Sequence, residues 1–357
     1  MTRGREIFKV SKCRICNNRN LLTFLQLGPT PVPNGFLEKG QLNMAEKFYP
    51  LDVCFCPECG ITQLGHVVDP KIMFHNYLYI PSTSKTMTDH FANLAKDVFR
   101  RCQLREDDLV VDIGSNDGTL LKAFKALGVT TLGVDPAENL AKVANEEGII
   151  TINALFTKKL ASKIVNENRK AKTITATNVV AHVHDLHDFF EGVKQLLATN
   201  GLFIAEFPYF IDLMQKTEFD TIYQEHLSYF SLTPLKKLLD YHHLYLIDAQ
   251  RIPVHGGSIR VFVSKKKTGE KKVIKDLLEL EKSYGILDPQ TYLKFRKRVD
   301  KIRHDLVQLL WSLRLKNKSI VGYGASAKGN IMLNYCRIGT ETLDYIVDSI
   351  PYKQGKY

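Results

Sequence analysis

No stretch of this 357-residue chain approaches the ~20 consecutive apolar residues that a membrane span needs. The opening MTRGREIFKVSKC also lacks the apolar block of a secretory signal. Both absences lead to the expectation of a cytoplasmic protein with no membrane partner. Cysteine is sparse and odd in number, seven in all, which argues against a disulfide framework. No internal repeat and no low-complexity tract occurs, so repeat arrays and disordered polymers are excluded. What remains is ordinary: 44% hydrophobic and 24% charged residues, in a length suited to two or three domains.

The net charge is +11, which raises the question of a polyanionic partner. Much of the excess is local. Lys265, Lys266, Lys267, Lys271 and Lys272 crowd the stretch KKKTGEKK, between the strand-like RVFVS and a helix, and read as a solvated loop. A phosphate-bearing small substrate suits the remaining surplus, and no nucleic-acid partner is expected.

Four of the cysteines form two Cys-x-x-Cys turns, CRIC (Cys13, Cys16) and CPEC (Cys56, Cys59), separated by 39 residues. Each turn offers two thiolates to one tetrahedral ion, so the pair predicts a closed structural zinc site with no open position for catalysis. The other readings of this spacing are redox chemistry and no metal at all. Cys54 is expected to pack rather than ligate.

From about residue 108 strand and helix alternate. DLVVDIG, TTLGVD, TITATNVVAHV and GLFIAEFP read as strands. TLLKAFKALG, PAENLAKVANEEG and HDLHDFFEGVKQLLATNG read as helices, the last with a glycine cap. The alternation predicts a parallel, doubly wound sheet. Farther on, Val299, Ile302, Leu306, Leu309 and Leu313 step at helical spacing and predict a core-facing stripe.

Two glycine-rich turns compete for a ligand. VVDIGSNDGTLL places Asp112 at a strand end, Gly114 and Gly118 around a turn, and a second acid, Asp135, 21 residues after Gly114. The acid can accept hydrogen bonds from ribose hydroxyls. The pattern D-x-G-x-N-D-G is not the G-x-G-x-x-G of dinucleotide sites. It resembles the first motif of class I S-adenosylmethionine methyltransferases, with Asn116 and Asp117 in the turn and Pro136 opening the next helix. A dinucleotide and a ligand-free turn are the alternatives. The second turn, GYGASA at 322–327, matches G-x-G-x-x-A, but only 30 residues follow it. It suits either part of a nucleotide, with Ser326 and Lys328 reaching phosphate, or tight packing alone.

The order of these features resembles the three-domain S-adenosylmethionine-dependent sugar C-methyltransferases, which act on nucleotide-linked (dTDP-type) 4-keto-deoxysugars. The matching stretches are both knuckles, LGPTPVPNGFL, YLYIPSTS, DIGSNDGTLL, GVDPAENLA, TNVVAHVHDLHDF, EFPYF, YQEHLSYFS, HGGSIRVF and VGYGASAKGN. The resemblance implies an α/β fold with a class I methyltransferase core. It further implies a zinc domain over 1–84, a methyltransferase domain over 85–250 and a Rossmann-like nucleotide-sugar domain over 251–357. Family members continue past KQGK, so a truncated C-terminal unit is expected. A monomer or homodimer is expected.

Methylating a sugar carbon needs a carbanion equivalent. A ketone at C4 acidifies the C3 proton, and the enzyme must supply a base at C3 and a donor at O4. A histidine, with an ordinary pKa of about 6.5, suits the base. Within YQEHLSYFS that role falls to His226. Glu225 is expected to orient it or bind a hydroxyl, and Tyr223 to donate to the developing oxyanion. The matched motifs add Asn178 and His182 at a strand end, and Tyr77 and Tyr79 closing over the ligands. His255, Gly257, Ser258 and Arg260 form a polar turn in which Arg260 serves either diphosphate or a structural ion pair. Ser326, Lys328 and Asn330 complete the substrate set. Competing readings are an O- or N-methyltransferase of another small molecule and a zinc-ribbon nucleic-acid binder. Only Lys12, Arg14 and Arg19 lie near the knuckles, which is little for the latter.

Overall fold

The computed structural model describes residues 6–69, 72–73, 80–267 and 269–357, except the side chain of His255. Its N-terminal part is built from β1 (Ile7–Lys9), β2 (Leu22–Thr30), β3 (Tyr49–Phe55), β4 (Thr62–Leu64) and β5 (His66–Val68). β2, β3 and β4 form an antiparallel meander, and β1 pairs with β5. The knuckle Cys56–Cys59 is the turn between β3 and β4. Its partner Cys13–Cys16 folds against it, with the amides of Ile15 and Cys16 directed at Cys13 Sγ at 3.4 and 3.5 Å.

The four Sγ atoms lie within 4.8 Å of one another, with Cys13–Cys59 at 3.4 Å and Cys16–Cys56 at 3.5 Å. A tetrahedral zinc with bonds of about 2.3 Å sets sulfur–sulfur edges of about 3.8 Å. The donor set and its spacing therefore fit zinc in a closed site. Cys54 turns away to Thr23 Oγ1 at 3.2 Å.

The central part runs α1 (Lys85–Cys102), β6 (Leu109–Ile113), α2 (Thr119–Lys125), β7 (Thr130–Asp135), α3 (Glu138–Glu146), β8 (Thr151–Asn153), α4 (Lys158–Glu167), β9 (Ala171–Thr177), α5 (Leu186–Leu196) and β10 (Leu197–Pro208). Then come α6 (Phe210–Lys216), β11 (Ser228–Tyr229), α7 (Leu232–Tyr241), β12 (Tyr245–Ile252) and β13 (Ser258–Ser264). The seven-stranded sheet has the order β12-β13-β10-β9-β6-β7-β8. The β10-β9-β6-β7-β8 run is parallel and β13 is antiparallel to both its neighbours. The chain turns outward in both directions from β6 and β9. That switch point opens a crevice at their carboxyl ends.

β6 reads LVVDI and is buried on both faces, as a central parallel strand must be. Its side chains alternate between two cores. Val110 packs with Phe91, Leu94, Leu121, Phe124 and Phe262, under α1 and α2. Val111 packs with Ile164, Ile174, Phe190 and Val193, under α4 and α5. Helix α1 starts where Ser84 Oγ accepts from Met87 N. It buries Met87, Phe91, Leu94, Ala95, Val98 and Cys102, one stripe at steps of one to four residues.

The C-terminal part comprises α8 (Lys272–Tyr284), α9 (Pro289–Leu315), β14 (Val321–Tyr323), α10 (Ala327–Cys336) and β15 (Tyr345–Val347), with β14 and β15 parallel. Helix α9 leans on the zinc-bound meander, where Tyr292 stacks on Phe55 at 3.9 Å between ring centroids.

Two expectations need correction. The helix before GLFIAEFP stops at Leu196 without a glycine cap, because β10 already pairs at Leu197 with Ala171. The stripe on α9 is core at Val299 but surfaces at Leu309, which is 55% exposed, because the helix runs past the body it packs on.

Asp112 lies in β6 beneath the glycine turn, 2% exposed, accepting from Thr175 Oγ1 at 2.6 Å. Burial pushes its carboxyl up to about 7, with Asp135 and Glu206 adding repulsion and Thr175 opposing. The folded state thus holds this proton more tightly than the unfolded chain. Its contribution is complete below the ordinary carboxylate range and is lost as pH rises through about 7. Asp112→Asn should cancel that loss: the melting-temperature difference between variant and parent should widen from pH 5 to pH 8. It should reach the equivalent of about 2–4 kcal/mol and then level off. For the metal, Cys59→Ser should reduce bound zinc from about one equivalent to near zero. Hydrogen exchange should then show Gln63 and Ser228 losing protection together, since β11 pairs with β4.

Candidate active site

A cavity of about 950 Å³ occupies the crevice at the carboxyl ends of β6, β7 and β9. All three parts of the chain contribute to its wall: Phe8 and Asn34 from the N-terminal part, the central loops, and Ser326, Lys328, Tyr352 and Lys353 from the C-terminal part.

The first glycine turn forms one end. Gly114, Asn116 and Gly118 have φ of 70°, 53° and 77°, the left-handed backbone that glycine and asparagine tolerate best. A Cβ on Gly114 would lie 2.3 Å from Val179 Cγ2, so only glycine fits between the turn and the loop after β9. Asp135 closes the turn: its carboxylate accepts from Asn116 N and Ala137 N, both at 2.8 Å. Burial raises its pKa against these two donors. Asp117 is turned inward, where Oδ1 accepts from Thr119 N and Oγ1 and starts α2. Pro136 lines the cavity beside Asp135. A turn of this shape, with an acid at the end of the next strand, fits the ribose and amino-acid parts of S-adenosylmethionine.

The opposite wall is the run YQEHLSYFS, much of it buried although it is polar. Its second half is β11, which pairs with β4 as the edge strand of the zinc-bound meander, and Leu64 N donates to Leu227 O at 3.1 Å. Gln224 Nε2 donates to Thr30 Oγ1 at 2.6 Å, and Asn34 Nδ2 to Glu225 Oε1 at 2.7 Å. His226 Nδ1 lies 2.8 Å from the carbonyl oxygen of Thr221. A carbonyl only accepts, so Nδ1 carries the proton and Nε2 of the neutral ring carries the lone pair.

Three rings flank His226: Tyr223 at 4.1 Å and 34°, His182 at 4.9 Å and perpendicular, and Tyr229 at 6.3 Å and 85°. Burial, and then the neighbouring His226, hold the His182 pKa well below its ordinary value, so His182 is neutral at physiological pH. Asn178, at the end of β9 with φ 57°, lines the same cavity and donates its backbone N–H to Glu206 O at 2.7 Å.

The structure therefore brings together His226, Tyr223, Glu225, His182, Asn178, the glycine turn and Asp135 with Ser326 and Lys328. Ser326 also caps α10, its Oγ accepting from Gly329 N at 3.0 Å. Tyr77 and Tyr79 lie outside the described residues. Asn330 stands off the wall, its Oδ1 taken by Asn334 Nδ2 at 2.9 Å.

In the polar turn before β13 the His255 side chain lies outside the described residues, and the remaining residues stand off the cavity. Gly257 and Gly256 press against the carboxylates of Asp212 and Glu218, and Ser258 Oγ donates to Val254 O. Arg260 is buried within the sheet on Glu206 Oε1 at 2.5 Å, with His90 on Oε2 at 2.7 Å. A buried guanidinium must be paired, and this one is, so the ion pair rather than diphosphate claims it.

Sequence reasoning missed Asn34, Thr221 and Lys353. Asn34 sits in the flagged LGPTPVPNGFL, but nothing local points it at a residue 191 positions away.

The chain is similar to known proteins along nearly its whole length. Residues 253–357 match the model of the "C-methyltransferase C-terminal domain", 87–248 a "Methyltransferase domain" and 13–74 a "Putative zinc binding domain". The C-methyltransferase NovU of Streptomyces niveus is 35% identical over 97% of this chain and 83% of its own length. A ubiquinone biosynthesis O-methyltransferase of Bartonella tribocorum is 32% identical over 27% of this chain and 40% of its own. A solved S-adenosylmethionine-dependent methyltransferase of Clostridium acetobutylicum overlays 50% of this chain and 92% of its own at a TM-score of 0.41 and 16% identity. With zinc-ready thiolates, a methyltransferase sheet and a likeness to NovU over 97% of its residues, this chain belongs to the S-adenosylmethionine-dependent C-methyltransferases.

Proposed function

We propose that the protein methylates C3 of a 4-keto-deoxysugar carried on a nucleoside diphosphate of the dTDP type, through an enolate generated by His226. The observation that supports this most is the placement of His226 Nδ1 2.8 Å from Thr221 O. With Nδ1–H committed to Thr221 O, a base lone pair sits at Nε2 in a ring that lines the same cavity as Gly114 and Asp135.

The glycine turn, Asp135 and Pro136 would hold S-adenosylmethionine, which supplies a sulfonium-borne methyl group for direct displacement. The chain's own residues do the rest. His226 Nε2 takes the C3 proton, and the C–H electron pair passes into a C3–C4 double bond while the carbonyl pair moves to O4. Tyr223 donates to that oxygen, and neutral His182 adds a ring without adding competing positive charge. The C3 carbon of the enolate then takes up the methyl group, and the carbonyl at C4 returns. Glu225 favours the imidazolium that His226 becomes. On the C-terminal wall Lys328 and the N-terminus of α10 suit a diphosphate. An O- or N-methyltransferase would not need this set of base and oxyanion donor.

Two measurements check the reading. In deuterated buffer with a dTDP-4-keto-6-deoxyhexose and no S-adenosylmethionine, the parent should exchange the C3 proton. His226→Asn should lose that exchange and about 10²–10⁴ in methyl-transfer rate while still binding S-adenosylhomocysteine. Gly114→Ala should do the reverse. Its Cβ meets Val179 and closes the turn, so calorimetry should show S-adenosylhomocysteine affinity falling at least about tenfold with C3 exchange retained.

A further inference from the structure

We propose that Asn34 is a positioning residue for the Glu225 carboxylate, presented by a strap that ties the reacting segment to the C-terminal unit. The proposal rests on the reading of residues 223–231 as that segment.

Asn34 Nδ2 donates to Glu225 Oε1 at 2.7 Å, and both residues line the cavity. Pro31 and Pro33 precede it, fixing two backbone angles and removing two donors. Gly35 N donates to Val32 O at 3.0 Å, so the chain turns at Asn34. Four residues earlier Thr30 Oγ1 holds Gln224. Consecutive residues of the reacting segment, Gln224 and Glu225, are thus gripped by one end of β2 and the loop that leaves it. An amide N–H aimed at a carboxylate favours its charged form and fixes its direction.

Beyond Asn34 the same loop is fastened to the other side of the cavity. Leu37 N donates to Tyr357 O at 2.9 Å and Tyr357 N to Leu37 O at 3.0 Å. Glu38 pairs with Lys356, and Lys353 Nζ stands 5.8 Å from the Phe36 ring centre. Lys353 and Tyr352 line the cavity. A ligand phosphate that engages Lys353 would therefore bear on the strap that holds Asn34 on Glu225.

The test follows the Glu225 carboxyl directly. Glutamate labelled with carbon-13 at the carboxyl, with Glu225 assigned through Glu225→Gln, gives its titration midpoint in the whole chain. Asn34→Ala should raise that midpoint by about one unit. Asn34→Asp, which sets a like charge opposite, should raise it further. The other ionisable groups of that wall, Tyr223, His226, His182 and Lys328, remain in every variant. With a 4-ketosugar nucleotide, Asn34→Ala should lower kcat about 10–100-fold with KM nearly unchanged, and add less than about twofold in a Glu225→Gln background. Zinc content is the folding control, and Asn34→Ser replaces the alanine variant if that control fails. An unmoved Glu225 midpoint, or full multiplication of the two effects, overturns the assignment. A moved midpoint alongside a parent enzyme that neither exchanges nor methylates 4-ketosugars would leave Asn34 standing and remove the proposed reaction.

Discussion

Ser228 and Tyr229 pair with Gln63 and Thr62, and the position of residues 223–231 on the cavity wall depends on that short ladder. Two residues cannot form a stable strand by themselves. This one is held because β4 is already fixed, and β4 is fixed because the turn that begins it carries Cys56 and Cys59. Four thiolates thereby set a backbone register, the register sets Leu227, and His226 is presented to the cavity one residue earlier. The zinc-binding sheet thus carries the edge strand that leads to the cavity wall.

The electrostatics of the cavity follow from what lies under it. Asp112 and Asp135 stand on the adjacent strands β6 and β7, and Glu206 on β10 just beyond β9, an arrangement that burial penalises. Burial alone would raise the Glu206 carboxyl, yet His90 and Arg260 hold it below the ordinary range. Asp135 is relieved by two backbone amides, and Asp112 has a single hydroxyl. Three buried acids are thus made tolerable by three different means. Arg260 serves that balance in the sheet, which is why it is not available to a substrate.

Legibility in the sequence tracked the range of the interactions. The knuckles, the glycine turn and the strand–helix alternation are local patterns, and all are present, although the strand TITATNVVAHV stops at Thr177 and Val180–His182 forms a 3-10 turn. Asn116 takes the left-handed backbone that its place in the turn requires. The polar turn around Gly257 looked like a ligand loop because its composition suits one. Its partners Asp212, Glu218 and Glu206 are far away in sequence, and pairing across the sheet decided the matter. The end of α5 was misplaced for a similar reason: a glycine at 201 is a good local stop, but β10 begins pairing four residues before it. The link from Asn34 to Glu225 has no local signature, since it depends on how the strap is tied at both ends.

The hydrogen bond from His226 Nδ1 to Thr221 O also shapes the end of the cycle. With that nitrogen tied to a carbonyl in the 3-10 turn Phe219–Thr221, the imidazole cannot relay a proton through itself into the protein. In the proposed reaction, a proton gained at Nε2 would therefore have to depart from Nε2, on the side facing the cavity. Regeneration of the base would then wait for solvent to reach the emptied chamber, coupling recovery of the enzyme to product release.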